Sequence, residues 1–225
     1  MGADPGKSQA VIRRRDVWLC FALRREARWV RVPGATKLVT GMGPANTQRA
    51  LAQALAKARP AWALSCGFAG GLNPRWAAGA VLFDASETPA LAARLVAAGA
   101  HPARFCSVAH VVVTAAQKRA LHQATGADAA EMEAEAVRAV CRSLGLPSAT
   151  VRAISDPADA DLPVDFNRFM TNSHRLDYIR LLIWLATSPS RLKGVLRLRR
   201  QCRLAARNLG EVLTRALAGD WLDSG

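Results

Sequence analysis

Three apolar runs in the sequence end in residues that can do chemistry. Glu26 follows the first run, the segment Gly-Phe-Ala-Gly-Gly at 67–71 follows the second, and the pair Ser155–Asp156 follows the third. Carboxyl groups accept hydrogen bonds and transfer protons, and glycines let a backbone approach a ligand closely. If these three ends converge, they define a ligand site.

Short apolar runs alternate with helical stretches along the chain, which is typical of an α/β fold with a largely parallel sheet. We predict strands over 17–23, 36–40, 62–66 and 149–154, and helices over 45–58 and 131–144. The ligand crevice of such a sheet lies beyond the carboxyl ends of its strands. The second helix would carry Glu131 and Glu133 in its first turn, near the positive end of its dipole.

The composition is that of a folded domain with a strongly basic balance. The 225 residues are 51% hydrophobic and 21% charged, with a formal net charge of +14. This excludes a disordered polyelectrolyte, and no run approaches the ~20 apolar residues of a membrane-spanning helix. We predict a disordered leader over 1–16, one domain over 17–186 and a basic amphipathic helical segment over 187–225.

The cysteines and histidines suggest neither a disulfide framework nor a metal site. The five cysteines are odd in number and widely spaced, which favours reduced thiols and a cytoplasmic location. The four histidines show no spacing typical of metal ligands, so no metal is expected.

Five ordered motifs resemble the nucleoside phosphorylase and nucleosidase superfamily. They are Ala-Leu-x-x-Glu-Ala at 22–27, Thr-Gly-Met-Gly-Pro-x-Asn at 40–46, Gly-Phe-Ala-Gly-Gly-Leu at 67–72, Glu-Met-Glu-Ala at 131–134 and Arg-Ala-Ile-Ser-Asp-Pro-Ala-Asp at 152–159. The resemblance implies a three-layer α/β/α sandwich around a mostly parallel mixed sheet. It also implies an enzyme that cleaves the N-glycosidic bond of purine nucleosides without a cofactor, using water or phosphate as co-substrate.

The resemblance further implies residue roles. Asp156 matches the general acid toward the purine ring, with Ser155 orienting it; its carboxyl must carry a proton near neutral pH, which burial favours. Glu26 matches the residue that positions water in hydrolytic members, and Glu133 the acceptor of the ribose hydroxyls. Met132 would pack against the sugar. We also predict substrate contacts at Glu131, Phe68, Gly70, Gly71, Val111 and Val112.

Each assignment has a plainer alternative. Asp156 precedes a proline and could be a turn or N-cap residue, Glu133 could be only a dipole partner, and Glu26 could be a solvated charge. The nucleophile is also open. Arg24 and Arg25 could hold phosphate, whereas Glu26 would repel it.

Two segments depart from the small nucleosidases. The stretch 82–110 is short, and residues 191–215 hold eight basic side chains and one acidic one. These features resemble the hopanoid-associated phosphorylase branch, which implies release of adenine from adenosylhopane and contact of the tail with the inner membrane surface. The alternatives are a methylthioadenosine/adenosylhomocysteine-type nucleosidase and a non-catalytic nucleic-acid or membrane binder. A homo-oligomer is compatible with the sequence, and no nucleic-acid partner is expected.

Overall fold

The computed structural model describes residues 17–171 and 192–219. The predicted leader over 1–16 lies outside the described residues. So do the apolar run at 179–186 and both ends of the predicted basic segment, 187–191 and 220–225. The proposed domain limits therefore stay a prediction.

A mixed sheet forms the centre of the described part of the chain. Its strands are β1 Val17–Phe21, β2 Thr36–Val39, β3 Trp62–Gly71, β4 Val81–Asp84, β5 His101–Pro102, β6 Phe105–Ser107, β7 Ala129–Glu131 and β8 Ser148–Asp156. The main order is β2-β1-β3-β8-β4-β5, and β7 pairs with both β3 and β6. Neighbouring strands are parallel except for β3 with β7 and β4 with β8.

Helices cover both faces of this sheet. They are α1 Pro44–Leu55, α2 Pro89–Ala97, α3 Ala115–Thr125, α4 Ala134–Ser143 and α5 Leu192–Ala216, with a short 3₁₀ turn at Phe166–Phe169. On one face Leu51 of α1 and Val137 of α4 pack against Trp18 of β1. On the other, Leu95 of α2 and Leu209 of α5 belong to a larger core. The predicted three-layer α/β/α fold is confirmed.

The local boundaries differ from the prediction at two functional segments. β3 continues through the glycine-rich segment to Gly71, so these glycines lie within the strand rather than after it. The fourth helix begins at Ala134 rather than at Glu131, because Glu131 ends β7 and Glu133 occupies the N-cap. The Glu131 carboxylate accepts the N–H groups of Glu133 and Ala134 at 2.8 and 2.5 Å, which satisfies the first turn from outside the helix.

The apolar stripe predicted for the basic segment packs partly onto the sheet. Ala205, Leu209, Val212 and Ala216 of α5 are buried, while Val195, Leu198 and Cys202 are half-buried. The basic side chains of the helix are exposed. No helix of the described residues combines the length and the apolar character needed to cross a membrane.

Candidate active site

The candidate site has two parts, one around Arg152 and one around Asp156, and both residues lie on the interior strand β8. Gly67 of β3 pairs with Arg152, and Gly70 pairs with Asp156. The register shifts between Ala69 and Gly70, so that Ser155 is an additional residue on β8. This irregularity re-aims the side chain that follows it, as β-bulges beside active sites commonly do.

Arg152 is the centre of a buried charge cluster. Its Nη2 donates to Ser65 Oγ and Glu131 Oε2, both at 2.8 Å, and its Nη1 lies 3.4 Å from Glu133 Oε2. Burial alone would lower the pKa of this guanidinium, but the carboxylates of Glu131, Glu133 and Glu26 outweigh burial and raise it. Arg152 therefore stays cationic and holds the acidic side chains around it.

Glu26 is 3% exposed and is held from two directions. Leu23 N–H donates to Oε2 at 2.7 Å, and Phe68 N–H donates to Oε1 at 3.0 Å. Burial raises the pKa of Glu26 to about 7. Glu133 adds to this increase, while Arg152 and the two backbone donors oppose it. A carboxyl group with that pKa can exchange protons near neutral pH.

The absence of a side chain at position 67 makes room for this cluster. A Cβ atom on Gly67 would lie 2.7 Å from Arg152 Nη1 and 3.0 Å from Glu26 Oε1, and the residue has φ +153°. The first glycine of the segment 67–71 is therefore required by the packing of two buried charged groups.

Glu133 is held by the loop that opens α1. Gly43 N–H donates to its Oε1 at 2.9 Å, and Arg152 lies near its other oxygen. Burial raises the pKa of Glu133, while Arg152 and the Gly43 N–H act against that increase. Gly43 has φ +83°, a conformation that favours glycine. The Thr-Gly-Met-Gly-Pro motif thus positions Glu133.

Glu131 is fully engaged by the protein. Ser107 Oγ donates to its Oε1, and Arg152 and two backbone N–H groups share its Oε2. The residue is 3% exposed. These contacts join Glu131 to Arg152 and to the first turn of α4, and the predicted substrate contact of Glu131 stays a prediction.

Asp156 lies at the end of β8 with one hydroxyl and one ammonium partner. Ser155 Oγ donates to its Oδ1 at 2.6 Å, consistent with the predicted orienting function. Lys118 Nζ on α3 lies 2.6 Å from Oδ2, although this ion pair lacks the alignment of a hydrogen bond. Gly70 leaves space beside the carboxyl group, since a Cβ atom there would lie 3.4 Å from Oδ2.

Charged groups in both parts of the candidate site act on the thiol of Cys202 on α5. Burial raises the pKa of its thiol to about 11; Arg25 acts against this, and Asp156 and Glu26 add to it. The charges of both carboxyl groups therefore act on this thiol. Its place in an amphipathic helix does not predict this.

The other predicted residues occupy different settings. Met132 and Phe68 are half-buried, and Phe68 contributes its backbone N–H to Glu26. Val111 is half-buried, and its N–H and carbonyl both bond to the Asn167 side chain at 2.9 Å. Val112 packs in a small core, and Gly71 contacts the backbone after Asp156. Arg24 and Arg25 are exposed.

Two buried cations were not assigned roles from the sequence. Arg152 begins the motif Arg-Ala-Ile-Ser-Asp in the middle of an apolar strand. An arginine at such a position predicts a buried acidic partner, because a buried charge must be paired. Lys118 gave no such signal, because its partners lie about forty residues away along the chain.

Comparisons with known proteins agree with this fold and these motifs. Residues 84–177 match the model of the Phosphorylase superfamily. A 50-residue stretch is 50% identical to the 5′-methylthioadenosine/S-adenosylhomocysteine nucleosidase of Mycobacterium bovis, covering 22% of this chain and 20% of that protein. A 66-residue stretch is 33% identical to the Shewanella baltica nucleosidase of the same name, covering 29% and 28%. The matched stretches thus span between a fifth and a third of these curated relatives.

Solved structures share the architecture over most of the chain. The 5′-methylthioadenosine/S-adenosylhomocysteine nucleosidase from Neisseria meningitidis, in complex with methylthio-immucillin-A, has a TM-score of 0.65 at 16% identity, covering 89% of this chain and 97% of that one. Futalosine hydrolase of Helicobacter pylori has a TM-score of 0.62 at 15% identity, covering 89% and 96%. The resemblance to the nucleoside phosphorylase and nucleosidase superfamily is confirmed.

Proposed function

We propose that the protein is an enzyme that hydrolyses the N-glycosidic bond of a purine nucleoside. The observation that carries this proposal is the buried Glu26 carboxyl group, whose pKa is about 7 and which lies beside Arg152. Such a group can accept a proton from an attacking water molecule. The similarity to nucleosidases and a hydrolase supports the same reaction class.

The proposed reaction uses one water molecule and three carboxyl groups. The water oxygen bonds to the anomeric carbon as the bond to the purine nitrogen breaks, and Glu26 takes the water proton. Glu133 accepts hydrogen bonds from the ribose hydroxyls, which strengthen as positive charge develops on the sugar. Asp156 donates its proton to the leaving purine. Of the described residues, none accepts the buried Nε–H of Arg152.

The charges of the site favour water over phosphate as the nucleophile. Three carboxyl groups, those of Glu26, Glu131 and Glu133, share the single guanidinium of Arg152 in this cluster. An incoming phosphate dianion would be repelled by such a cluster. Arg24 and Arg25 are exposed rather than part of this cluster.

The test is release of free base by the full-length protein. Adenosine, methylthioadenosine and a 5′-lipidated adenosine are incubated with the enzyme in the presence and absence of phosphate. We expect free base and a sugar with a 1-hydroxyl group at rates independent of phosphate, and Asp156→Asn should abolish release. Absence of free base from every substrate contradicts the proposal, and a phosphate requirement identifies a phosphorylase.

We further propose adenine as the released base and a lipid-bearing nucleoside such as adenosylhopane as the substrate, which would place the enzyme in hopanoid biosynthesis. The alternative is a small 5′-thio substituent, which the names of the matched relatives support. Comparison of kcat/KM between the lipidated and methylthio substrates separates the two.

We also propose that α5 brings the protein to the inner membrane surface. Leu192, Leu196 and Leu204 are 51, 44 and 40% exposed on this helix. Between Leu192 and Ala216 seven exposed basic side chains accompany one exposed acidic side chain, Glu211. Exposed leucines among cations are typical of helices that bind anionic lipid headgroups.

A further inference from the structure

Lys118 is the most unusual buried residue outside the reaction described above. It lies on α3, its side chain is 0% exposed, and it is among the largest fully buried side chains of the described residues. Lysine is almost never fully buried unless it is paired. A buried ammonium group carries a desolvation penalty, so its partners indicate why it is there.

The described side-chain partners of Lys118 lie at the end of β8 and on the segment that follows it. Its Nζ donates to the carbonyls of Pro157 and Ala160, each at 2.9 Å, and lies 2.6 Å from Asp156 Oδ2. The ammonium group thus makes two hydrogen bonds and one ion pair within the five residues 156–160. The ammonium fixes this segment, and the Asp156 carboxyl group with it, against α3.

We propose that Lys118 is a positioning residue that holds Asp156 Oδ2 and leaves Oδ1 as the oxygen that donates the proton to the leaving base. Oδ2 is shielded from solvent, whereas Ser155 Oγ donates to Oδ1. This inference depends on the proposed hydrolase function, because it assigns a partner to the general acid of that reaction.

The ammonium also acts on the proton transfer itself. When Oδ1 gives its proton to the purine nitrogen, Asp156 changes from a neutral acid to a carboxylate beside a cation. The ion pair with Lys118 is therefore stronger after the transfer than before it, and interactions that strengthen in this way lower the barrier. The Ser155 hydroxyl donates to Oδ1 of the same carboxyl group.

The experiment compares two leaving groups in the variant Lys118→Met. Methylthioadenosine needs protonation of its base, whereas a nucleoside methylated at the purine N7 carries a positive charge already and leaves without an acid. We expect kcat for methylthioadenosine to fall about 10- to 100-fold, as for a misplaced catalytic group. For the N7-methylated substrate we expect a change of less than about twofold, because no proton is donated. The ratio of the two rates is independent of the folded fraction of the sample.

A further measurement separates positioning from a structural effect. In the Asp156→Asn background, Lys118→Met should leave the rate for the N7-methylated substrate unchanged, because this substrate needs no acid. The exposed Lys57→Met, in the turn after α1, is the matched control and should leave both rates unchanged.

Equal losses on the two substrates would overturn the inference about Lys118 while leaving the proposed hydrolysis in place. A wild-type enzyme that releases no base from either substrate contradicts the proposed function instead.

Discussion

The carboxyl groups of Glu26 and Asp156 are both buried, yet their partners suit them to opposite proton transfers. Among the described residues, two backbone N–H groups donate to Glu26, and burial raises its pKa to about 7. Asp156 has an ammonium group at 2.6 Å. The first environment suits a group that takes up and releases a proton near neutral pH, and the second stabilises the carboxylate that the proposed acid becomes when it gives its proton to the base.

The pH dependence of hydrolysis should report the Glu26 carboxyl group. Only its ionised form can accept the water proton, so activity is lost as the pH falls below its pKa. We expect kcat/KM to decrease about tenfold per pH unit below about 7, with Glu26 in the free enzyme as the titrating group. The measurement is a pH–rate profile between pH 5 and 9 with methylthioadenosine.

Glu26→Gln should lower kcat by about 10²- to 10⁴-fold and remove this acid limb. Binding of the nucleoside should remain, as measured by calorimetry. A variant that keeps the limb near pH 7 would show that another group is the base.

Bound nucleoside should protect the Cys202 thiol from alkylation, because the charges of Asp156 and Glu26 both act on this half-buried thiol. With a pKa of about 11, its thiolate fraction rises about tenfold per pH unit over the alkaline range, so iodoacetamide is applied at about pH 9.5. The modification rate at Cys202 should fall when adenosine is present, as followed by peptide mass spectrometry. Cys106 on β6, also half-buried, is the internal reference and should react at the same rate with and without adenosine.

At the scale of elements, β8 supplies the cation and the acid, while loops and helix termini supply the other groups. Glu26 follows β1, Glu133 precedes α4, and Gly43 precedes α1. These pieces converge on Arg152, which is 1% exposed. β8 therefore positions the site residues in two ways: the charge of Arg152 attracts the acidic side chains, and the pairing with β3 places Arg152 and Asp156 beside Gly67 and Gly70.

Arg152→Met should destabilise the fold in a pH-dependent way. Removal of the guanidinium leaves three buried carboxyl groups without their cation, which costs about 3–5 kcal/mol. A carboxyl group with a higher pKa in the folded state than in the unfolded state loses stabilisation as the pH rises through its folded pKa. Since burial already raises the pKa of Glu26 and of Glu133, the loss should be larger at pH 8 than at pH 5.

Urea unfolding of this variant at several pH values tests the prediction. Arg119→Met, an exposed change on α3, should alter the free energy of unfolding by less than about 0.5 kcal/mol at every pH. A loss for Arg152→Met that is independent of pH would mean that the three carboxyl groups are not what the arginine compensates.

Much of this arrangement could be predicted from local sequence patterns. The strands that end near Glu26 and Asp156 follow from apolar runs, and α1 follows from its periodicity and from Pro44 at its start. The start of α4 could not be predicted, because the side chain of Glu131 bonds its first N–H groups from β7. The partners of Lys118 depend on chain-distant packing, which no local pattern encodes.

At the scale of the whole molecule, half of the formal charge of +14 lies in the segment 191–215. The described part of that segment covers the sheet with one side and presents its cations on the other. Cations concentrated on one exposed helix create a directional field, which favours binding to an anionic surface in one orientation.

The protein should therefore sediment with vesicles that contain phosphatidylglycerol and not with pure phosphatidylcholine vesicles, and salt should weaken the binding. The double variant Arg199→Glu/Arg203→Glu should reduce sedimentation strongly. Arg49→Glu/Lys57→Glu changes the net charge equally on α1 and the turn that follows it, in the layer opposite α5, and should reduce sedimentation much less. Equal reduction by both double variants would assign the binding to net charge alone.

The placement of Arg152 and Asp156 on one interior strand has a practical meaning for protein engineering. Because both side chains belong to one strand, the backbone of β8 sets the distance between them, and changes in the outer layers have little effect on that distance. Substitutions on the exposed faces of the outer helices should therefore leave the relative placement of Arg152 and Asp156 unchanged.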